Sequence, residues 1–469
     1  MVSSSAFSTV LTHRHPLPFR PVTARVGARR ARSKLLVTLA GLLLAGTAGG
    51  VAAQFNHDLP AFVTVAFVQG AIWAVAAAVV LRLRDRGPGL TLILGTAALL
   101  RLVALPAPVF LSDDINRYIW DGRVQAAGIN PYRYVPTAPE LEALRDPLIF
   151  PNINRSNYAP TIYPPVAQML FLAANRIGGT AFAVKLVFVT IEAAGIGALI
   201  FILRAAGRPP EQILLYAWHP LPLWEIAGSG HVDAAVVTCA TLALAAAVSG
   251  RRVWSAVALA AATLVKFFPL VMAPALWRPA RSNFADWRWP AAFIAVIVAA
   301  YLPYIGVGLR ALGFLSGYVA EENLRSGSGF WLLEIARSAI PVPLAAYLAL
   351  AASVLTGLAI GALCRRPEPR ASLNWAMALG TAALFFASPH YPWYFVWLVA
   401  LLTAAAWWPA WWLTLSAVLL YCDHKTGNVP FWVGFTLYGG FVILCVVDLV
   451  RRTVFNKNSG ARRAIDCAT

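Results

Sequence analysis

Two adjacent carboxylates, Asp113 and Asp114, stand in the stretch PVFLSDDINRYIWDGR, where an apolar run ends. At least one of them is expected at the outer edge of a membrane, where partial desolvation makes a carboxylate a better base toward a hydroxyl. The same pattern is typical of a helix N-terminus, with Ser112 or Asp113 as the cap and acidic residues in the first turn. The two interpretations are compatible, with Asp113 as cap and Asp114 as base.

A second polar cluster, His231 and Asp233, stands in the turn GSGHVDA between two apolar runs. The glycines of this turn let the backbone approach a ligand closely. We therefore expect both side chains to face the same compartment as Asp114 and to contact a substrate. A tight helical hairpin with a capping aspartate is the alternative explanation.

Aromatic residues accompany polar ones at two further places. His390 stands in SPHYPWYFVW beside Tyr391 and Trp393, and Trp120 and Asp121 follow the paired aspartates. Such rings are typical of the aromatic belt at the membrane interface. The alternative is a platform on which a sugar ring stacks.

Four cations, Arg117, Arg123, Arg325 and Lys266, stand where they can meet a phosphate group at the membrane surface. Arginine matches phosphate oxygens with two parallel hydrogen bonds, and lysine acts as a point charge. A basic residue inside a membrane is costly and is by default a functional candidate. Lys266 fits this description best, because it stands beside a break in an apolar run.

These residues belong to a chain with the composition of a membrane protein. Of its 469 residues, 59% are apolar and 12% are charged, and the mean hydropathy is +0.67. Soluble domains carry about 25% charged residues, whereas a membrane-spanning helix needs roughly 20 mostly apolar residues. We therefore predict an all-α polytopic membrane protein with about twelve spans. The predicted spans are residues 35–53, 61–81, 89–110, 180–203, 212–229, 232–249, 289–307, 339–363, 372–388, 392–407, 409–422 and 430–450.

One apolar segment, residues 253–277, does not fit this count, because basic residues flank both of its ends and LVKFFPL interrupts it. Broken backbone at membrane depth is tolerated only against protein or a wet cavity. We predict two half-length helices that enter the membrane and return, beside an internal groove.

The chemistry is expected in the first large outer loop, residues 111–179, which is too long for a passive connection. Its parts 114–127 and 165–176 have the pattern of short helices at the membrane interface. A second outer loop, residues 308–338, carries acidic residues and the flexible stretch SGSG.

The net charge of +18 comes from 38 basic and 20 acidic residues. The basic residues cluster in short turns, which the positive-inside rule places in the cytoplasm. The charge therefore indicates membrane topology and no nucleic-acid partner. A basic leader (1–34) and a basic tail (451–469) are predicted to be cytoplasmic, on either side of one catalytic domain (35–450). The five cysteines show no spacing typical of a disulfide framework or metal site.

No P-loop and no glycine-rich dinucleotide fingerprint follows a strand pattern in the sequence. An activated substrate is therefore expected to arrive without a nucleotide site. A donor carried on a lipid satisfies this condition.

Five stretches of the chain resemble the C-type glycosyltransferases (GT-C), and most closely the polyprenyl-phosphate-mannose-dependent mannosyltransferases of glycosyltransferase family 87. They are SDDINRYIWDGRVQAAGINPYRY, TIYPPVAQMLF, GSGHVDA, LVKFFPL and SPHYPWYFVW, and the resemblance spans about residues 35–450. It implies that the aspartate before the I-x-R-Y pattern, Asp114, is the base, with Asp113 beside it. The doubled aspartate departs from the single one of the family.

The resemblance further implies that a hexose, expected to be mannose, passes from a polyprenyl phosphate to a lipid or glycan acceptor, with inversion at the anomeric carbon. One carboxylate suffices for this step. A divalent metal is not expected, because the leaving group is a monophosphate and the sequence shows no dense carboxylate cage, and no cofactor is expected. We predict donor-phosphate contacts from His390, Arg325, Lys266 and Arg117. We predict sugar or acceptor contacts from His231, Asp233, Trp120, Asp121, Tyr163, Tyr391 and Trp393. The protein is then expected in the bacterial inner membrane, among membrane lipids, with its site on the periplasmic side.

Two other functions fit the same topology. One is a secondary transporter or lipid flippase, and the other is a noncatalytic relative that binds polyprenyl phosphate. A transporter places its essential polar groups near the bilayer midplane, whereas most of the residues above stand at the outer ends of predicted spans or in outer loops.

Overall fold

The computed structural model describes residues 22–82, 89–277, 287–365, 368–422 and 430–466. In these ranges the chain is helical and forms no β-strand, which confirms the all-α prediction. Residues 1–21 of the predicted leader and 467–469 of the predicted tail lie outside them.

The helices are of three kinds. The longer α-helices are Val22–Phe55, Leu59–Leu81, Leu90–Ala104, Asp114–Ala126, Pro165–Ile177, Ala181–Ala205, Asp233–Val248, Arg252–Thr263, Arg288–Tyr301, Leu344–Leu363, Pro369–Ala387, Val396–Ala405 and Gly440–Asp466. Shorter α-helices are Leu214–Ala217, Pro220–Pro222, Ala273–Leu276, Leu315–Glu321, Trp331–Arg337, Trp411–Ser416 and Phe431–Gly434. The 3₁₀-helices include Pro139–Leu144, Phe150–Asn152, Pro210–Ile213, Phe268–Met272, Leu302–Leu312, Pro392–Phe395, Trp408–Ala410 and Ala417–Tyr421, and Leu223–Gly228 and Phe435–Gly439 are π-helical.

Six of the helical stretches in the described ranges are long and apolar enough to cross a membrane. They are Arg30–Phe55, Leu59–Leu81, Ala181–Ala205, Arg288–Glu321, Leu344–Leu363 and Phe431–Thr453. Each contains or overlaps one of the predicted spans, and the molecule is a membrane protein. Three further predicted spans overlap shorter apolar helices, which are Leu90–Ala104, Asp233–Val248 and Pro392–Ala405. The count of twelve spans stays a prediction.

The predicted span 212–229 differs from expectation, because it is not one continuous helix. The turn Leu214–Ala217 ends before Pro220, which has no N–H for a helical bond, and a π-helical turn, Leu223–Gly228, follows. The imidazole of His219 accepts a hydrogen bond from the Leu221 N–H at 3.1 Å. Every residue from 211 to 238 is buried, including polar ones such as His219 and Glu225.

The interruption in segment 253–277 lies where LVKFFPL predicted it. Helix Arg252–Thr263 ends just before it, and the 3₁₀-helix Phe268–Met272 follows. The Leu264 carbonyl accepts hydrogen bonds from the Val166 and Ala167 N–H groups, at 3.1 and 3.3 Å. These two hydrogen bonds connect the outer loop 111–179 to the interruption in segment 253–277. How the segment lies in a membrane stays a prediction.

Both short helices predicted in the outer loop are confirmed, as Asp114–Ala126 and Pro165–Ile177. They pack against each other, with Tyr118 stacked on Phe171 at 4.6 Å between ring centroids. A Cβ atom on Gly122 would lie 2.3 Å from the Phe171 carbonyl oxygen, so only glycine allows this close approach. The packing fixes the direction of the helix that begins at Asp114.

Candidate active site

A cavity of about 550 Å³ lies where five parts of the chain meet. These parts are residues 112–114, the loop 154–164, the break at 266–268, the segment 315–322 and the turn 391–394. The lining residues are Ser112, Asp113, Asp114, Asn154, Arg155, Tyr158, Ile162, Tyr163, Pro164, Lys266, Phe267, Phe268, Leu315, Tyr318, Glu321, Glu322, Tyr391, Trp393 and Tyr394. The volume is within the range of about 300–1,000 Å³ found for small-molecule sites.

Asp114 is held at the cavity wall by hydrogen bonds to both carboxylate oxygens. Asn154 Nδ2 donates to Oδ1 at 2.9 Å, and the Tyr163 hydroxyl donates to Oδ2 at 3.3 Å. Asn154 also donates to Asp113 Oδ1, at 3.1 Å. The Asp114 side chain keeps 16% of its surface exposed, so it is positioned and still open to a reactant.

The start of helix Asp114–Ala126 has no side-chain cap from an aspartate. Asp113 occupies the N-cap position, but its carboxylate makes no capping hydrogen bond. Ser112, one residue earlier, accepts a hydrogen bond from the Asp114 N–H through its Oγ at 3.3 Å. The Asp113 carboxylate therefore lies on the cavity beside Asp114.

Tyr163 can act only as a donor toward Asp114. Burial, and to a smaller extent the negative charge of Asp114, raise the pKa of the Tyr163 phenol well above its usual value. The hydroxyl therefore stays protonated near neutral pH and can donate its hydrogen bond to Asp114.

His231 lies behind Asp114, between two carboxylates. Its Nδ1 is 4.0 Å from Asp114 Oδ2, and its Nε2 is 3.4 Å from Glu225 Oε2. The ring stacks on Trp393 at 4.3 Å between centroids. The turn packs closely against its neighbours, because a Cβ atom on Gly230 would lie 2.7 Å from a side-chain carbon. The φ angle of +75° at Gly230 also favours glycine there. His231 is thus a fixed, buried neighbour of the candidate base.

Glu225 is buried together with its own hydrogen-bond partner. The Tyr421 hydroxyl lies 2.8 Å from Oε1 and 3.0 Å from Oε2 of Glu225. Asp114, His231, Glu225 and Tyr421 therefore form a row that leads from the cavity into the protein.

Lys266 extends from the break onto the cavity and pairs with Asp233. Its Nζ donates to Asp233 Oδ2 at 2.6 Å and lies 5.2 Å from the centroid of the Tyr394 ring. The side chain of Asp233 has no exposed surface, and that of Lys266 is 11% exposed. The lysine therefore compensates a carboxylate that water cannot reach.

Arg155 and Glu321 form a second ion pair on the lining. Arg155 Nε lies 2.5 Å from Glu321 Oε2, and both side chains are partly exposed. Burial disfavours the Arg155 charge, but the hydrogen bond to Glu321 and the charges of Glu321 and Asp114 together outweigh burial and raise the pKa of the guanidinium. At the neighbouring Glu322, burial raises the pKa of the carboxyl group.

Aromatic rings form much of the remaining lining. Tyr391 stacks on Trp393 with centroids 4.7 Å apart and planes 12° apart, and Trp393 stacks in turn on His231. The hydroxyls of Tyr318 and Tyr394 are 2.5 Å apart. Flat apolar faces beside hydrogen-bonding groups are typical of surfaces that bind sugar rings, and the predicted sugar contacts of Tyr391 and Trp393 stay predictions.

Residues 25–280 match the family model described as alpha-(1->6)-mannopyranosyltransferase, N-terminal domain, and this is more than half of the 469 residues. The chain belongs to this family. It is therefore a glycosyltransferase, and the predicted resemblance to GT-C mannosyltransferases is confirmed. The matched part carries Asp114, His231, Asp233 and Lys266. No curated protein sequence matches the chain.

Six of the residues predicted for the site line the cavity of this glycosyltransferase. They are Asp113, Asp114, Tyr163, Lys266, Tyr391 and Trp393. His231 and Asp233 lie directly behind them, in contact with Asp114 and Lys266. The structure therefore brings the two predicted polar clusters together, across more than a hundred residues of sequence.

Three predicted residues are buried away from the lining. Arg117 pairs with Asp121 at 3.1 Å and donates to the Ala159 carbonyl, which holds the loop that carries Asn154. Trp120 packs against Phe150 in a separate apolar cluster. Their predicted contacts to phosphate, sugar or acceptor stay predictions, and the geometry gives them a supporting position.

The remaining two predicted phosphate ligands also lie off the lining. His390 makes an edge contact with Trp331 at 6.1 Å between centroids. Burial lowers the pKa of His390, which disfavours the cationic form that binds phosphate. Arg325 is exposed. Their role at the donor phosphate stays a prediction.

Sequence reasoning missed Asn154, Arg155, Tyr158 and Tyr318 as site residues. The first three stand in an irregular loop, where no periodicity or motif sets one polar residue apart from the next. Their only signal was membership of the outer loop 111–179. In the described part of the chain no group of three or more His, Cys, Asp or Glu side chains could hold a metal ion, and metal independence stays a prediction.

Proposed function

We propose that the chain is an inner-membrane mannosyltransferase that transfers mannose from a polyprenyl phosphate to a hydroxyl of a lipid or glycan acceptor on the periplasmic face. The family description, alpha-(1->6)-mannopyranosyltransferase, favours mannose and a 1→6 linkage. Asp114 is the base of a single inverting displacement, so that a β-linked donor yields an α-mannoside.

The position of Asp114 carries this proposal. Its carboxylate accepts hydrogen bonds from Asn154 and Tyr163 and faces a cavity large enough for a hexose. As the acceptor hydroxyl attacks the anomeric carbon, its proton passes to Asp114, and the C–O bond to phosphate breaks with the electron pair on phosphate. The transition state resembles an oxocarbenium ion, as in inverting glycosidases.

The rest of the lining suits a lipid-linked donor. Two cations, Lys266 and Arg155, supply positive charge for a phosphate, and the Tyr391 ring, which is backed by Trp393, supplies a face for the sugar. Phe267 lines the cavity and is 38% exposed. Apolar side chains at the broken segment are therefore available to the prenyl chain.

The periplasmic face rests on charge distribution. Arg204, Arg208, Arg251 and Arg252 stand at the ends of spans opposite to the outer loop 111–179 in the predicted topology. The positive-inside rule then places Asp114 outside the cytoplasm.

The decisive experiment is Asp114→Asn, assayed in membranes with a synthetic polyprenyl phosphate β-mannoside and with the glycolipid product measured by mass spectrometry. A general base contributes about 10²- to 10⁴-fold, and we expect kcat to fall by that factor while the amount of folded protein is unchanged. Asp113→Asn tests the neighbouring carboxylate and should cost much less.

Asp58→Asn is the matched control. The exposed Asp58 carboxylate caps helix Leu59–Leu81 through the Ala61 N–H at 3.0 Å, and asparagine caps equally well. Full turnover of Asp114→Asn would remove Asp114 as the base. Liposomes that moved a lipid but never formed a mannosylated product would favour the flippase instead.

A divalent metal is not needed in this mechanism, because the leaving group is a monophosphate and cations of the chain face it. We expect EDTA to leave the initial rate unchanged. Loss of activity in EDTA that Mg²⁺ or Mn²⁺ restores would contradict this part of the proposal.

A further inference from the structure

Two basic side chains, Lys266 and Arg155, line the cavity in the described part of the chain, and each already has a carboxylate partner. A phosphate that binds there must either join an existing ion pair or replace the carboxylate in it. The two pairs differ in how easily the carboxylate can leave.

The Lys266–Asp233 pair is fixed. The Asp233 side chain has no exposed surface, so its carboxylate cannot exchange the lysine for water. Separating them would leave a buried, unpaired charge, which is strongly unfavourable. A phosphate can approach Lys266 only while the lysine stays paired with Asp233. In that pair the carboxylate already compensates most of the lysine charge.

The Arg155–Glu321 pair is exchangeable. The Glu321 side chain is 26% exposed and that of Arg155 is 21% exposed. Glu321 is the last residue of the short helix Leu315–Glu321, so a change of its rotamer carries the carboxylate into water without breaking a longer element. A partly exposed pair costs less to separate than the fully buried Lys266–Asp233 pair, because water can reach the separated charges.

We infer that Glu321 occupies the place of the donor phosphate on Arg155 when the site is empty, and that the donor phosphate displaces the Glu321 carboxylate while the Lys266–Asp233 pair stays intact. This inference rests on the proposed function for the identity of the anion. A guanidinium suits the exchange, because it binds carboxylate and phosphate with the same pair of parallel hydrogen bonds.

The exchange has a consequence for turnover. A carboxylate that competes for Arg155 weakens the binding of the donor and of the polyprenyl phosphate left after sugar transfer. Glu321 therefore lowers the affinity for both in the same proportion and promotes release of the lipid product.

The test compares Glu321→Gln with the wild-type protein by donor KM and by inhibition with polyprenyl phosphate. Glutamine removes the competing charge, and we expect both constants to fall by about two- to fivefold, the range that exposed ion pairs reach. Arg155→Gln should raise both by roughly tenfold or more, because it removes a charged hydrogen bond to phosphate. In the Arg155→Gln background the effect of Glu321→Gln should vanish.

Glu334→Gln is the matched control. Glu334 pairs with Arg337 at 2.9 Å, at 41% and 30% exposure, and neither residue lines the cavity. We expect wild-type constants for this variant. Equal constants for Glu321→Gln and Glu334→Gln, or a Glu321→Gln effect that persists without Arg155, would overturn the exchange.

Direct binding of polyprenyl phosphate to the protein in nanodiscs separates this inference from the proposed function. If the wild-type protein transfers no mannose but Glu321→Gln still binds polyprenyl phosphate more tightly, the exchange stands and the function fails. If transfer is normal but the affinities of Glu321→Gln and wild type are the same, the exchange fails and the function stands.

Discussion

Replacing Lys266 by methionine should lower the free energy of unfolding more than a substitution of an exposed residue does, because Lys266 is the ion-pair partner of the buried Asp233. The variant keeps most of the apolar stem but leaves the Asp233 carboxylate, 2.6 Å from the lysine nitrogen in the native pair, without its cation. Asp233 has no exposed surface, so water cannot replace the lysine.

The size of the effect follows from this burial. Breaking a buried ion pair by removing one partner costs about 3–5 kcal/mol, because an uncompensated charge remains inside the protein. In the double variant Lys266→Met/Asp233→Asn the charge is gone, and what remains is a buried amide with incomplete hydrogen bonding, which costs about 1–3 kcal/mol. The double variant should therefore be more stable than the single one.

Thermal unfolding of the purified proteins in one detergent measures this difference. We expect Tm to fall in the order wild type, double variant, Lys266→Met. The Lys266→Met deficit should shrink as the pH is lowered, because protonation neutralises Asp233. Arg337→Met removes a cation from a pair at 30% and 41% exposure, and its Tm should stay near that of the wild type. A double variant less stable than Lys266→Met would refute the reasoning.

Three further predictions concern single positions. Asn154→Ala should lower kcat by about 10- to 100-fold at unchanged donor KM, because it removes a hydrogen bond to the charged Asp114; steady-state kinetics check this. Gly230→Ala should lower Tm more than Gly128→Ala, since φ is +75° and +77° at the two positions but only at Gly230 would a Cβ atom meet another atom within 4 Å. Burial raises the pKa of Glu322 above its unfolded value, so its ionisation costs stability as the pH rises through the folded-state pKa; Glu322→Gln should therefore raise Tm more at about pH 8 than at about pH 5.

The parts of the fold that were predictable are those that local patterns determine. Apolar runs located the long spans, and the helices Asp114–Ala126 and Pro165–Ile177 lie within a residue or so of their predicted bounds. The broken stretch around Pro220 was missed, although Pro220 and Pro222 are local signs of a helix break. The mostly apolar run on both sides of them favoured a single span.

The site was predictable to the extent that its residues stand in short motifs. The motifs around Asp114, His231 and Lys266 indicated functional residues, but no spacing could show that His231 lies 4.0 Å from Asp114 or that Lys266 pairs with Asp233. Arg155 was missed for the same reason. It joins the cavity through a contact with Glu321, 166 residues away, which depends on how the two outer loops pack.

The two ion pairs of the cavity differ in a way that suits an enzyme that positions a base and exchanges a lipid. The surroundings of Asp114 are held by buried contacts: the Gly230 turn, the Lys266–Asp233 pair and the stacked Trp393. Catalysis by a base needs this rigidity, since small displacements of the reacting atoms cost large factors in rate. Arg155, by contrast, is held by a partly exposed pair. A carboxylate that moves aside there lets a charged headgroup arrive and leave while the buried contacts around Asp114 stay in place. One fixed and one exchangeable ion pair on the lining of the same cavity thus allow precise proton transfer and rapid exchange of the lipid.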